Sequence, residues 1–354
     1  MSDQASQQSE EITGKVFADI AGAIGVLMAF LGDQAGVYKA MENAGPATLE
    51  KLSDITGVNQ RYLQEWLACN TAQGYCQYND STNEYFLTQE QAALFAHEGE
   101  PTCLQGFFQC IVAQYETHET ASDVFKSGRG RPWGEHSNCC FCGTDRFFRP
   151  GYAANLISSW IPSLQGMEGK LAAGARVADV GCGHGSSTIL MAKQFPQSTI
   201  IGYDFHEPSI EIARQKARDE GLSNVEFHVS DAGSFEGKDF DLACIFDALH
   251  DMGDPVGVAQ HIRNSLKDDG SFMLVEPLAG DTLQENSNPL GAIFYGFSTL
   301  ICVPTAIAQD ASYALGAQAG EKRLSQVLRD AGFTSVERVN ETPSNMVLEA
   351  RGNV

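Results

Sequence analysis

The chain predicts an α/β fold with an open, mainly parallel sheet, preceded by a helical winged-helix unit. Three observations carry this. From Leu171 onward, strand-length apolar runs alternate with helix-length amphipathic runs, the spacing of βαβ units. Arg176 to Lys193 reads as a short buried strand, a glycine turn and a helix. Thr48 to Thr88 reads as helix, turn, helix, hairpin.

The whole-chain quantities bound the answer. At 354 residues two domains are expected, and an apolar fraction of 43% supports a sizeable core. A formal charge of −22 repels nucleic acid and anionic membranes. The ten cysteines fall largely where elements should be buried, which points to reduced cytoplasmic thiols rather than a disulfide framework. Met1 to Glu10 is polar and lacks the apolar core of a targeting segment. The longest apolar run, Ile20 to Leu31, is shorter than a bilayer span, so no transmembrane helix is expected.

Residues 11–43 read as helical, and Ile20, Ile24, Leu27, Leu31 and Val37 give a broad apolar surface that serves as core or as a subunit interface. Pro46 opens the next unit. Thr48 is the expected N-cap of a short helix that Gly57 stops. Gln60 to Gly74 is a second helix with Tyr62, Leu63, Trp66, Leu67 and Cys69 on its apolar face. Tyr75 to Tyr78 and Tyr85 to Thr88 flank a polar turn as a hairpin. A winged helix-turn-helix suggests DNA, but from Thr48 to Glu100 only Lys51 and Arg61 are basic, against eight acidic residues. A phosphate-binding face needs clustered Lys and Arg, so a structural or dimerising module is expected.

Residues 101–165 read as a helical linker or lid between a domain at 1–100 and one at 166–354. Cys139, Cys140 and Cys142, near His136, raise the question of a soft metal. They lack a C-x₂-C pair, and buried small thiols are the expected reading, with no metal ligated. Trp133, Arg146, Phe147, Phe148, Arg149 and Tyr152 suit a substrate wall or plain packing.

In the second half, strands are expected at Val177 to Val180, Thr199 to Tyr203, Val225 to Ser230, Phe240 to Phe246 and Ser271 to Glu276. Ser335 to Val339 and Asn345 to Ala350 make a closing antiparallel hairpin. Helices are expected at Ser209 to Gly221, Val256 to Leu266 and Gly320 to Gly332, and apolar Pro289 to Leu315 is long enough to cap the site. Ligands of such sheets sit beyond the carboxyl ends of the strands. Asp179, Asp204, Asp231 and Asp247 all fall at strand ends.

Asp179-Val-Gly-Cys-Gly-His-Gly185, followed by Asp204, departs from the dinucleotide pattern G-x-G-x-x-G, since Ser186 takes its sixth position. It resembles the S-adenosylmethionine (SAM) site of Rossmann-like methyltransferases. With Ser230-Asp-Ala232 and the strand to Phe246, the series is similar to the successive motifs of class I SAM-dependent methyltransferases. Leu249-His-Asp-Met-Gly-Asp254 and Leu274-Val-Glu276 resemble motifs of small-molecule O-methyltransferases. Cys142 to Tyr152 and Phe246 to Pro255 resemble a winged-helix methyltransferase group of poorly defined substrate.

The resemblance implies a seven-stranded Rossmann-like methyltransferase sheet, a dimerising N-terminal domain, SAM as cofactor and a small-molecule acceptor. It implies that Gly181, Cys182 and Gly183 cradle the cofactor. Asp179 would orient the turn or meet the ammonium group, and Asp204 would take the ribose hydroxyls. Asp231 would accept from the adenine amino group and the Ala232 N–H would donate to a ring nitrogen. Phe205 and Phe246 would give apolar contact, and Asp247 would close the fourth strand at the same crevice. By position, His250 is the general base for a hydroxyl acceptor. Met252 replaces the tryptophan of the plant-type motif. A SAM-binding regulator without catalysis, or a thiol or metalloid acceptor, stays open at this level. The choice of acceptor is expected to lie in 101–165 and 281–315.

Overall fold

The computed structural model describes the backbone of residues 2–309, 311 and 313–352, and side chains from residue 6 onward. Met1 and positions 310 and 312 of the apolar 289–315 stretch therefore lie outside the described residues. The chain divides into two compact units. The first is Met1–Glu116 with Asn138–Pro150, and the second is Thr117–Ser137 with Gly151–Val354. The expected 101–165 linker is thus shared between them in alternating pieces.

In the first unit a long helix, Ser2–Gln34, precedes helices Val37–Ala44, Leu49–Thr56 and Gln60–Ala72. The wing is a small antiparallel sheet of β1 (Ala47–Thr48), β2 (Gln77–Asn79) and β3 (Glu84–Phe86), ordered β1-β3-β2. Local chemistry sets the ends. The Thr48 side chain accepts from the Lys51 N–H, and Gly57 stops that helix in the left-handed region at φ 69°. Asn59 caps the next helix through the Arg61 and Tyr62 N–H groups. The long helix packs on the module where a glycine allows it: a Cβ at Gly32 would stand 2.1 Å from the Trp66 ring. Tyr38 meets Trp66 edge-on at 5.0 Å, and the Trp66 indole donates to the Met28 carbonyl at 2.8 Å.

The expected apolar surface divides between core and exposed face at Val37. That residue is buried in the second helix, while Ile20, Ile24, Leu27 and Leu31 stay exposed on the first. Two segments, Ser6–Gln34 and Pro289–Ile307, are long and apolar enough to cross a membrane by length and composition alone.

The second unit holds a seven-stranded sheet. Its strands are β4 (Arg176–Val180), β5 (Thr199–Asp204), β6 (Val225–Val229), β7 (Phe240–Phe246), β8 (Leu266–Pro277), β9 (Ser335–Glu341) and β10 (Asn345–Arg351). The order is β6-β5-β4-β7-β8-β10-β9, with β4 to β8 parallel and β10 antiparallel to both of its neighbours, β8 and β9. β7 is buried along its whole length, as a central strand covered on both faces must be. Strand β8 starts five residues earlier than the Ser271 start read from the sequence. Leu266 already pairs with Phe240, and the Lys267 ammonium holds Asp241 at 2.8 Å across the irregularity that follows. The order reverses between β4 and β7, which makes that crevice the place for a ligand.

The candidate active site

The glycine turn has the geometry its composition promised. Gly181, Gly183 and Gly185 have φ of 74°, 52° and 75°. The three differ in what surrounds them. A Cβ at Gly185 would lie 2.8 Å from the Ala213 methyl and the Phe227 ring, so this glycine lets helix Glu207–Asp219 and β6 pack close. A Cβ at Gly183 would meet nothing within 4 Å, which leaves open space above that residue. A Cβ at Gly181 would come 3.2 Å from the Ala248 methyl, so the turn lies against the loop that carries His250. The Cys182 thiol packs in an apolar cluster with Ile189, Ile210, Ala213 and Phe227, and burial raises its pKa. Only its backbone remains for a ligand.

The strand-end acids are built into the loops around them. Asp204 accepts the Gly183 N–H at 2.9 Å on one oxygen and the His206 N–H at 2.8 Å on the other. Burial raises its pKa, against the pull of those two N–H groups. Each oxygen retains a lone pair. Asp179 is 1% exposed. Its Oδ2 accepts from the Ser187 and Thr188 hydroxyls, both at 2.6 Å. Its Oδ1 is buried without a hydrogen-bond partner. Burial pushes Asp179 up to about 6, with the two hydroxyls opposing and Asp204 adding. Asp231 is exposed and accepts from the Gly233 N–H at 2.8 Å, and Ala232 beside it is half-buried. Phe205 is 53% exposed, whereas Phe246 is packed among Tyr152 and Trp160.

Asp247 ends β7 in the left-handed region at φ 49°, uncommon for a residue with a side chain. The Tyr152 hydroxyl donates to its Oδ2 at 2.9 Å and the Asn345 amide to its Oδ1 at 2.7 Å. Burial, then the Glu276 charge, pushes it up to about 8.

His250 sits in the short turn Leu249–Asp251 and is 5% exposed. Its Nδ1 pairs with Glu276 Oε2 at the end of β8, and Glu276 Oε1 accepts the Leu249 N–H at 2.9 Å. Its Nε2 stands 3.2 Å from Asp251 Oδ1 and beside the Cys302 thiol. Burial lowers the imidazole pKa, but Glu276 and then Asp251 outweigh it, and the net shift is well upward. The apolar stretch does lie on this loop. The Gln309 amide donates to the Asp251 carbonyl at 3.0 Å and accepts from the Gly253 N–H at 3.2 Å.

Strand-end position alone exposed the four aspartates. It did not reveal Ser187 and Thr188 on Asp179, or Asn345 and Tyr152 on Asp247, because these partners arrive from other elements. Cys302 carries no sequence signal at all. The three thiols of the 139–142 run lie on helix Asn138–Asn155 in different surroundings: Cys140 is buried, Cys139 half-buried and Cys142 exposed.

The site fits SAM. Asp179 offers an unbonded buried oxygen, Gly183 has open space above it, and the acidic surround suits a cationic sulfonium and ammonium. Comparison with known proteins agrees. The family model of a methyltransferase domain matches residues 171–332, and that of an Rv2258c-like winged helix-turn-helix domain matches residues 22–97. The chain is 27% identical over 179 residues to demethylmenaquinone methyltransferase of Lactobacillus johnsonii, covering 47% of this chain and 71% of that one. Among solved structures it resembles mitomycin 7-O-methyltransferase MmcR, with a TM-score of 0.74, 17% identity, and 98% and 99% of the two chains covered. Human N-acetylserotonin methyltransferase in complex with SAM gives 0.71, 16%, 97% and 98%. At such identities the likeness to solved structures is one of fold. With a methyltransferase domain at 171–332, a winged helix-turn-helix domain at 22–97 and a fold shared with a SAM-bound methyltransferase, the chain is a SAM-dependent methyltransferase.

Proposed function

We propose that this methyltransferase acts on a hydroxyl oxygen of a small molecule, with His250 as the general base. SAM supplies an electrophilic methyl group on a sulfonium. Asp204 would hold the ribose, Asp231 and Ala232 the adenine edge, and Asp179, through its unbonded oxygen, the cofactor's cationic end. Gly181, Gly183 and the Cys182 backbone would form the cradle, with Phe205, Phe246 and Asp247 around it.

One observation carries the base reading: Glu276 grips Nδ1 of His250, which orients the ring and leaves Nε2 as the nitrogen that accepts a proton. The loop that bears it lies against the glycine turn. Proximity supplies much of the acceleration, and a positioned base adds about 10²–10⁴-fold. The test uses SAM with a labelled methyl group against phenol, carboxylate, thiol and arsenite acceptors. On the acceptor found, His250→Ala should cut turnover by roughly that factor while S-adenosylhomocysteine binding by calorimetry survives. Unchanged turnover removes the histidine from the mechanism. Because Glu276 and Asp251 raise the imidazole pKa, the rate should climb with pH as Nε2 loses its proton. Asp204→Asn should weaken cofactor binding by roughly 10–150-fold, since it removes one charge-assisted bond of about 1.5–3 kcal/mol.

The same reading extends to assembly and setting. The apolar stripe of helix Ser2–Gln34 supports a homodimer. The net charge of −22 supports a protein that binds neither nucleic acid nor membrane. Ten free cysteines support the reducing cytoplasm.

A further inference from the structure

Cys302 takes no part in the mechanism above, yet it stands with the base. It ends a π-helical turn, Ser298–Cys302, between helices Pro289–Phe297 and Val303–Ile307. Such turns shift the register of a helix face and recur at functional sites. Here the shifted residue brings a buried thiol beside His250 and Asp251. Ligand atoms of the three residues lie within 4.8 Å of one another.

We propose that His250 Nε2, Asp251 and Cys302 Sγ form a binding site for a thiophilic divalent cation of the zinc type. An ion there occupies the nitrogen that the base needs, so its binding turns the transferase off. Only this second half rests on the base reading.

Three features carry the proposal. The donor set is one imidazole nitrogen, one carboxylate oxygen and one thiol, the mixture that zinc takes at about 2.0–2.3 Å. Donors on such a tetrahedron stand roughly 3–4 Å apart, so the cluster needs to close by less than about 2 Å across its widest pair. Three protein donors leave the fourth position for water.

The second feature is Glu276. It already holds the opposite nitrogen of the ring, the carboxylate–histidine arrangement that orients a metal-bound imidazole. Its other oxygen is fixed by the Leu249 N–H. The third is an unmet need. Asp251 Oδ1 is shielded from solvent and lies 3.2 Å from Nε2, but makes no aligned hydrogen bond. The Cys302 thiol hydrogen-bonds to this carboxylate, but a thiol is a weak donor and leaves the buried charge poorly met. A cation meets the carboxylate, the nitrogen and the sulfur together. On coordination the thiol proton, and any proton on Nε2, passes to solvent.

Cobalt(II) is the probe, because a bound thiolate gives it a charge-transfer absorption and a tetrahedral site gives intense visible bands. Chelator-stripped full-length protein should bind cobalt with a saturating thiolate band that zinc displaces. Cys302→Ser should lose the band, whereas Cys142→Ser, at the exposed thiol, should keep it. Glu276→Gln should weaken binding about 10–100-fold, the usual effect of removing a carboxylate behind a metal-bound histidine. Asp251→Asn, nearly the same shape, guards against a folding failure in the cysteine variant and should also weaken binding. A band that survives Cys302→Ser, or no saturable band in the parent, overturns the site. If the band behaves as expected but zinc leaves methyl transfer unaffected, the base reading fails while the cation site stands.

Discussion

Asp179 is a carboxylate set against its own ionisation, and the sign of that effect can be followed. Burial lifts its pKa from 3.8 to about 6. A carboxylate raised on folding is held best when protonated. Its contribution is therefore most favourable below the unfolded value and is lost as pH rises through about 6. The lost amount is on the order of 3 kcal/mol at 1.36 kcal/mol per unit. Asp179→Asn keeps an acceptor for Ser187 and Thr188 without the charge. The ligand-free variant should melt above the parent at neutral pH, and the gap should shrink as pH falls towards the unfolded value. On the proposed role of Asp179, SAM binding should move the other way, because a cationic ligand favours the ionised carboxylate. A melting gap that does not change with pH would show that Asp179 carries no such penalty. The sequence displayed this residue through its place before the glycines. It could not display the two hydroxyls on Oδ2 or the bare Oδ1, since both depend on how the following helix seats over the strand.

Within the glycine turn, neighbouring positions answer to different constraints, and a matched pair of substitutions separates them. Gly185→Ala places a methyl 2.8 Å from Ala213 and Phe227 and forces a left-handed conformation at φ 75°. Overpacking and backbone strain together should cost about 2–4 kcal/mol, read as a fall in the denaturation midpoint. Gly183→Ala also pays for a positive φ, at 52°, but its methyl enters open space. Its stability loss should stay near 1–2 kcal/mol, while cofactor affinity falls because the methyl fills the cradle. Equal losses of stability in the two variants would deny this division of labour. The sequence made both residues visible as one motif. That Gly185 serves packing follows from Phe227, more than forty residues away on β6. The same limit hid Cys302, which a π-helical turn brings to His250, and Asn345, which strand order brings to Asp247.

At the scale of the whole molecule, the first helix sets the remaining question. Phe17, Ile20, Ile24, Leu27 and Leu31 are 67%, 56%, 51%, 38% and 51% exposed. Their spacing is three, four, three and four residues, the repeat of a seam that packs against another helix. Gly32 and Trp66 anchor the end of this helix to its own unit, so the stripe is not what holds it there. A second copy of the chain supplies a matching stripe by two-fold symmetry, which is the simplest way to cover it. A bilayer is the competing cover, since Ser6–Gln34 is long and apolar enough to span one. Two measurements divide these. Without detergent the parent should sediment as a dimer and should not pellet with lipid vesicles. Ile20→Glu with Leu27→Glu places like charges across the seam and should give a monomer with the parent's cofactor affinity, because neither residue belongs to the cofactor-binding unit. A parent that is monomeric, or a charged variant that stays dimeric, rejects the seam. Vesicle binding by the parent that the charged variant loses assigns the stripe to lipid instead.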